Sequence, residues 1–311
     1  MPEELFNELK NKYESSLKDD FDIVLKTRRT TGFALGGFFG AILLMMFGGF
    51  FGILNGSGIV FVIGPIVAVG SFIVLIVQMF KGGKGEGAYH TKYYETVVKD
   101  LISTVYSDVK LSLTDEYDFR NVFYTSGFDR TYDRRHVRSE WNMQYGARNL
   151  TIYDVLLEEE STDSDGNTTY TTVFDGLFGV MSLSQALNDD IYINKSGGIA
   201  NRGTEKVNID SVVFSKQYKV YSTNKVKAMQ LLTHDVMDKI LEYSEQYKTK
   251  FEFRILNDKL YFRIFNHNTF SNQSKETISK SELDNDYHNL ILFKDVTDIV
   301  EKSAYDNGLF S

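Results

Sequence analysis

Residues 33–80 read FALGGFFGAILLMMFGGFFGILNGSGIVFVIGPIVAVGSFIVLIVQMF, and this stretch decides how the rest of the chain is organised. Its 48 consecutive positions include no Asp, Glu, Lys, Arg or His. Asn55-Gly56-Ser57-Gly58 divides it into two apolar segments of 22 residues, 33–54 and 59–80. At a rise of about 1.5 Å per residue, each segment reaches about 33 Å, which matches the hydrocarbon thickness of a bilayer. The stretch predicts a transmembrane hairpin of two helices.

Charged residues on both sides of this stretch predict its orientation. Lys26, Arg28 and Arg29 precede it closely, Lys81 follows it directly, and the turn between its halves carries no charge. By the positive-inside rule, both chain termini face the cytoplasm, and the predicted location is the cell membrane with two spans. A signal peptide is the alternative. We disfavour it because the apolar stretch begins about thirty residues from the N-terminus and is longer than an h-region.

Glycines in the first segment form two small-xxx-small series. Gly36 and Gly40 belong to one series, and Gly48 and Gly52 belong to the other. Gly36 and Gly52 are sixteen residues apart, so at about 100° per residue the two seams lie on nearly opposite faces of a helix. One seam is expected to receive the second span and the other a second subunit. The alternative is that glycine is simply common in membrane helices.

Helices are predicted on both sides of the apolar stretch. Residues 1–32 form an N-terminal amphipathic helix, because apolar side chains recur every three or four positions from Phe6 to Phe21. After a glycine-rich exit at residues 82–87, a second helix is expected over residues 89–112. Both helices leave the apolar stretch on the same side, so they are expected to pack as an antiparallel stalk.

Residues 81–311 predict a cytoplasmic α+β domain with a mixed, mainly antiparallel sheet and flanking helices. Short runs rich in Val, Ile, Tyr, Phe and Thr alternate with turn residues. The expected strands are 150–157, 169–174, 190–194, 207–214, 217–221, 251–256 and 260–265. Helices are expected over 222–232, from Thr233 onward, and over 281–303, because capping residues precede apolar periodicity.

Composition limits the partners of this domain. After residue 80 the chain has 28 Lys and Arg against 35 Asp and Glu, a net charge of −7, which argues against nucleic acid. The chain has no cysteine, which excludes disulfides, thiolate metal sites and a cysteine nucleophile. The remaining partners are a lipid bilayer and either a protein partner or a second copy of the chain.

The densest basic cluster is the candidate binding site. It comprises Arg130, Arg134, Arg135 and Arg138, with Trp141 close behind. Guanidinium groups bind oxyanions in a fork geometry, so this cluster predicts a site for a phosphorylated ligand or an acidic partner segment. The alternative is a solvated face neutralised by neighbouring acids. The five histidines show no metal-ligand spacing, so we expect no metal and no cofactor.

A set of short motifs adds a resemblance to a known family. These motifs are Gly85-Glu86-Gly87, Ser126-Gly127-Phe128 with Tyr132 and Asp133, TTVFDGLF at 171–178, VFSKQYKVYS at 213–222, Ala228, and Leu231-Leu232-Thr233. In this order they resemble the domain of unknown function 3137 family of bacterial membrane proteins. His234 stands where the family pattern usually has a proline. The resemblance implies a cytoplasmic α+β domain on a membrane hairpin, and it brings neither an activity nor catalytic residues.

Two functions remain at this point. The first is a membrane-tethered cytoplasmic interaction or scaffold module without catalytic activity, which the missing catalytic signatures favour. The alternative is a membrane-anchored sensor that binds a small phosphorylated ligand through the cluster from Arg130 to Arg138.

Overall fold

A computed structural model describes residues 1–55, 69–74, 76, 87–112, 119–128, 132–195, 203–265, 270 and 278–310. The chain divides into two compact units. The helical unit comprises Asn7–Val97 and Gln273–Ile278, and the sheet unit comprises Met1–Phe6, Val98–Asn272 and Ser279–Ser311.

The helical unit is built on an almost continuous N-terminal helix. Helix α1 covers Glu3–Ser16 and α2 covers Lys18–Asn55. The amide of Leu17 donates to the carbonyl of Tyr13, and its own carbonyl accepts from Phe21, so helical hydrogen bonding continues through the junction. Residues 69–74 and 87–93 are also helical, and a π-helical turn follows at Tyr94–Val98.

Aromatic contacts pair the N-terminal helix with the later helical segments in antiparallel order. The Tyr13 and Tyr93 rings meet edge to face at 6.5 Å, Phe21 lies 5.5 Å from Tyr89, and Phe38 lies 5.7 Å from Phe72. In these three contacts, the residue number of the partner falls as the residue number along the N-terminal helix rises. Burial of the apolar stripe holds the helices together, because propensity alone stabilises a helix little in water. The stripe comprises Leu9, Tyr13, Leu17, Phe21 and Val24.

The predicted transmembrane hairpin is wrong. Among the described residues, no helix has the length and the apolar composition needed to cross a membrane. The segment 33–54 is not a helix of its own, because α2 begins at Lys18 and carries the charged residues up to Arg29. The second predicted span, 59–80, lies mostly outside the described residues. An uncharged sequence indicates an apolar segment, but it does not by itself determine what surrounds that segment.

The sheet unit contains nine strands among its described residues, and every pairing is antiparallel. The α+β class with a mainly antiparallel sheet therefore agrees with the prediction. The strand order is β1-β2-β3-β4-β9-β8-β5-β7-β6. The strands are β1 Ser107–Ser112, β2 Arg134–Tyr145, β3 Arg148–Thr162, β4 Thr168–Ser182, β5 Asp190–Asn194, β6 Glu205–Val207, β7 Lys219–Ser222, β8 Lys250–Leu256 and β9 Lys259–Phe265.

Six helices of the sheet unit accompany these strands in the described part. They are α3 Lys99–Ser103, α4 Phe119–Ser126, α5 Val212–Gln217, α6 Lys225–Leu231, α7 His234–Gln246 and α8 Lys280–Asp306. The helix expected over 89–112 ends at Ser103, because the following segment pairs with β2 as strand β1. The strand expected over 207–214 is also interrupted. Ser211 accepts a hydrogen bond from the amide of Phe214 at 3.3 Å and caps α5.

Both faces of the sheet are covered, as the neighbours Phe178 and Gly179 of β4 show. Successive side chains of a strand point to opposite faces. Phe178 lies among the aromatic side chains of α4, 5.7 Å from Phe119 and 5.3 Å from Phe123. Gly179 faces the ring of Phe293 on α8, so α8 covers the other face.

Candidate functional site

The sequence-predicted basic cluster lies largely on strand β2. Arg134, Arg135, Arg138 and Trp141 belong to this strand, whereas Arg130 lies outside the described residues. The strand has a register shift between Val137 and Ser139, so regular alternation is broken within the cluster.

Arg138 is committed to two carboxylates of the neighbouring strands. Its Nε and Nη2 donate to Asp154 Oδ1 at 2.9 and 2.6 Å, and Nη2 also donates to Asp175 Oδ1 at 2.6 Å. Asp154 is fully buried. Arg138 is therefore an internal ion-pair residue with little capacity for an external anion.

The other members of the cluster do not converge with Arg138. Trp141 is completely buried, donates from Nε1 to Ser139 Oγ at 3.0 Å and packs against Phe270. Arg134 lies 4.3 Å from the ring centroid of Tyr170. Arg135 is exposed. Among its described members, the structure therefore does not assemble this cluster into one site for a phosphorylated ligand.

The glycines proposed for helix packing all lie in α2. No heavy atom comes within 4 Å of a Cβ added at Gly36 or Gly40, so both positions face open space. The surroundings of Gly48 and Gly52 lie outside the described part. A role of these glycines in subunit packing stays a prediction.

A groove between α7 and α8 of the sheet unit has a volume of about 830 Å³. This volume is within the size range of small-molecule pockets. Val236, Tyr243 and Ile299 supply its apolar lining. Its charged lining consists of six carboxylates and two ammonium groups: Asp235, Asp238, Glu242, Asp295, Asp298, Asp306, Lys239 and Lys302.

Helical periodicity places these charged residues along the groove. On α7 the sequence positions 235, 238 and 242 follow each other at steps of three and four, and on α8 the positions 295, 298, 302 and 306 do the same. Such steps keep side chains on one face of a helix. The opposite faces are buried, with Ile240 on α7 and Val296 and Val300 on α8. The predicted site residues do not include these positions, although their spacing is visible in the sequence.

Helix α7 starts at a side-chain cap. The amide of Val236 donates to Thr233 Oγ1 at 3.4 Å. His234 occupies the first helical position, where proline is favoured because its missing N–H is not needed. Helix α7 therefore still begins at this position, although the chain has His234 where the family pattern usually has proline.

Some of the groove acids are neutralised within the protein. Asp298 Oδ2 accepts from Lys294 Nζ at 2.9 Å and from Tyr145 Oη at 2.7 Å. The hydrogen bond to Asp298 is the largest cause that raises the pKa of Lys294. Lys239 pairs with Glu242 at 2.6 Å, which raises the pKa of Lys239.

Other groove acids have no such partner. Within the described residues, no ion pair reaches Asp235, Asp238 or Asp306, and all three side chains are exposed. Burial raises the pKa of Tyr243, and the nearby charge of Asp295 raises it further. The groove therefore offers an apolar lining with a negative rim, which suits a positively charged segment. In the part of the chain that the structure describes, no group of His, Asp and Glu side chains could hold a metal ion.

Comparisons with known proteins extend this picture. The model of one protein family, described as "Protein of unknown function (DUF3137)", matches residues 172–302, a range that includes α7 and most of α8. No curated protein matches the chain. Among solved structures, the chain is similar to the mycobacterial trehalose monomycolate transport factor A, TtfA, at 11% identity and a TM-score of 0.37. That alignment covers 65% of this chain and 92% of the other.

Proposed function

We propose a function from the site itself, because the description of the family model that residues 172–302 match, the domain of unknown function 3137 family, carries no activity. The protein is a membrane-associated interaction module without catalytic activity, and its sheet unit binds a basic segment of a protein partner. The observation that carries this proposal is the acidic groove between α7 and α8, with its apolar lining.

The chemistry of the groove favours a peptide segment over a small anionic ligand. Six carboxylates against two ammonium groups would repel a phosphate and attract lysine and arginine. Val236, Tyr243 and Ile299 can bury the aliphatic stems of such side chains while their charged ends meet the rim. Two helices that flank an apolar groove are a common means of peptide recognition.

The proposed location is a membrane surface, with the sheet unit in the cytoplasm. The helical unit exposes large apolar side chains on both of its paired segments, among them Phe33, Phe39, Phe72 and Ile73. Exposed patches of this kind mark protein or membrane contacts. Lys26, Arg28 and Arg29 directly precede the exposed row of α2, where they can meet anionic lipid head groups.

The binding proposal is tested by titrating the full-length chain with a fluorescent oligolysine peptide. Replacing Asp238→Lys and Asp306→Lys reverses two unpaired groove charges, and we expect the affinity to fall at least about tenfold. The matched control is Asp210→Lys with Glu245→Lys. It changes the net charge equally, and neither residue lines the groove.

The two variants separate groove binding from general charge attraction. Added salt should weaken the wild-type complex, because exposed charges are screened within about 10 Å at moderate ionic strength. Equal losses of affinity in the groove variant and in the control would show that oligolysine senses only net charge. That result would refute the groove as the binding site.

A further inference from the structure

Three carboxyl groups and one guanidinium, each buried or partly buried, belong to the sheet and α8. Asp154 of β3 and Asp175 of β4 share Arg138 of β2. Asp286 of α8 is also buried, and the amide of Phe270 donates to its Oδ2 at 3.1 Å. The ring of Phe270 packs against Trp141 of β2, and Ser139, two residues before Trp141, lies opposite Asp154 in the strand register, so Asp154 faces the side of the sheet on which Phe270 packs.

One guanidinium cannot neutralise all of these groups. A buried carboxylate without a compensating charge is costly, so such a group binds a proton instead. Asp154 Oδ2 is buried and has no hydrogen-bond partner among the described residues. Asp286 has no ion pair in the same set of residues. Asp154 and Asp286 are therefore the two groups at which a proton removes an uncompensated charge.

We propose that Asp154 and Asp286, together with Arg138 and Asp175, form a proton-controlled lock that fastens α8 and the Phe270 segment to the sheet. With protons bound, the carboxyl groups of Asp154 and Asp286 carry no charge and do not repel each other. Loss of the protons leaves three carboxylates beside one arginine, which Asp154 and Asp175 already share, and the repulsion loosens α8. The charged groups that act on the pair are Arg138 from β2, Asp175 from β4 and Glu282 on α8 itself.

The direction of titration agrees with this geometry. Burial raises the pKa of Asp154 to about 7; Arg138 opposes this effect, and Asp175 adds to it. Burial also raises the pKa of Asp286 well above its ordinary value, and the charge of Asp154 adds to that rise. Because both native pKa values lie above the ordinary value of 3.8, the folded state binds more protons than the unfolded state. The stabilisation is present at low pH and is lost as pH rises through about 7.

Helix α8 also forms one wall of the acidic groove. If the proposed function holds, the lock sets the shape of that groove, and this consequence rests on the proposed function. The test below uses no groove ligand, so its failure and the failure of groove binding are distinguishable.

Hydrogen exchange of the full-length chain, followed by mass spectrometry at about pH 6 and about pH 8, tests the lock. After correction for intrinsic rates, α8 amides of the wild type should lose protection on the order of tenfold or more at the higher pH. Asp154→Asn and Asp286→Asn remove the titrating charge, and each should reduce this difference. Glu245→Gln changes an exposed carboxyl on α7 that does not line the groove, and it should leave the difference unchanged.

Two results would overturn the lock. One is unchanged α8 protection in the wild type between the two pH values, which decides the question even if the asparagine variants fail to fold. The other is a folded Asp154→Asn, Asp286→Asn double variant that keeps the full pH difference of the wild type. In that case other groups control α8.

Discussion

The ring of Phe293 on α8 occupies the space that a side chain at Gly179 of β4 would need. A Cβ added at Gly179 would overlap Phe293 Cε1 and lie 2.8 Å from Cζ, closer than real carbon atoms approach. Phe293 also lies 4.6 Å from Phe262 of the adjacent strand β9. The absence of a side chain at Gly179 therefore lets α8 approach the sheet, and α8 carries one wall of the acidic groove.

Gly179→Ala should destabilise the sheet unit. The added methyl group must push the Phe293 ring out of its position, and overpacking of this kind costs about 1–3 kcal/mol. Denaturant unfolding of the full-length chain measures the loss. Gly87→Ala is the control, because Gly87 is helical and has no atom within 4 Å of an added Cβ. Equal stability of Gly179→Ala and wild type would show that α8 is not packed on this strand.

Arg263→Met should be among the most destabilising substitutions in the sheet. Arg263 is buried, pairs with the buried Glu252, and lies 4.7 Å from the ring centroid of Phe128. Removing one partner leaves a buried carboxylate without its guanidinium, which costs about 3–5 kcal/mol. The double variant Arg263→Met, Glu252→Leu should recover part of this loss, because neither charge of this pair then remains buried.

An exposed ion pair provides the comparison for this substitution. Lys225 and Glu205 pair at the surface, with 51% and 72% of their side chains exposed. Lys225→Met should leave the melting temperature nearly unchanged, because water and salt screen such pairs. Thermal unfolding of both variants compares the two environments. If both substitutions lower the melting temperature equally, burial does not determine how much these ion pairs matter for stability.

Lipid association should depend on the exposed apolar row of α2. Phe33→Ser with Phe39→Ser removes two large exposed rings, and we expect less of the full-length chain to float with vesicles that contain anionic lipid. Val212→Ser with Val213→Ser is the control, because these side chains are equally exposed on α5 of the sheet unit. If both variants float to the same extent as the wild type, α2 is not the surface that contacts the lipid.

Local signals explain which parts of the fold could be predicted. The expected strands 150–157 and 169–174 lie within β3 and β4, and Asp163 fixes the turn between them by accepting from the amides of Asp165 and Asn167 at 2.9 and 2.8 Å. The N-terminal helix could be predicted because apolar side chains recur every three or four positions from Phe6 to Phe21. The strand predicted over 207–214 is wrong around Val212 and Val213. Both residues favour strands, but the Ser211 cap starts helix α5 at this point.

Long-range pairing explains what could not be predicted. Neighbouring arginines suggested one basic patch, but Arg138 joins Asp154 and Asp175, which lie on other strands. The acidic steps on α7 and α8 are visible in the sequence. However, these helices are separated by strands β8 and β9, and only tertiary packing makes them two walls of one groove. The uncharged stretch was interpreted as two spans because charge patterning does not show that α2 starts at Lys18.

Site-specific photocrosslinking in intact cells tests the interaction module most directly. A crosslinking amino acid replaces Tyr243, which lines the groove, and in a second variant it replaces Tyr305, which is 76% exposed on α8 and does not line the groove. We expect position 243 to crosslink to a defined protein through a Lys- and Arg-rich segment. We also expect Asp238→Lys with Asp306→Lys to suppress this product. Equal crosslinking from both positions, or a product unaffected by the charge reversal, would contradict the claim that the groove binds a basic partner segment.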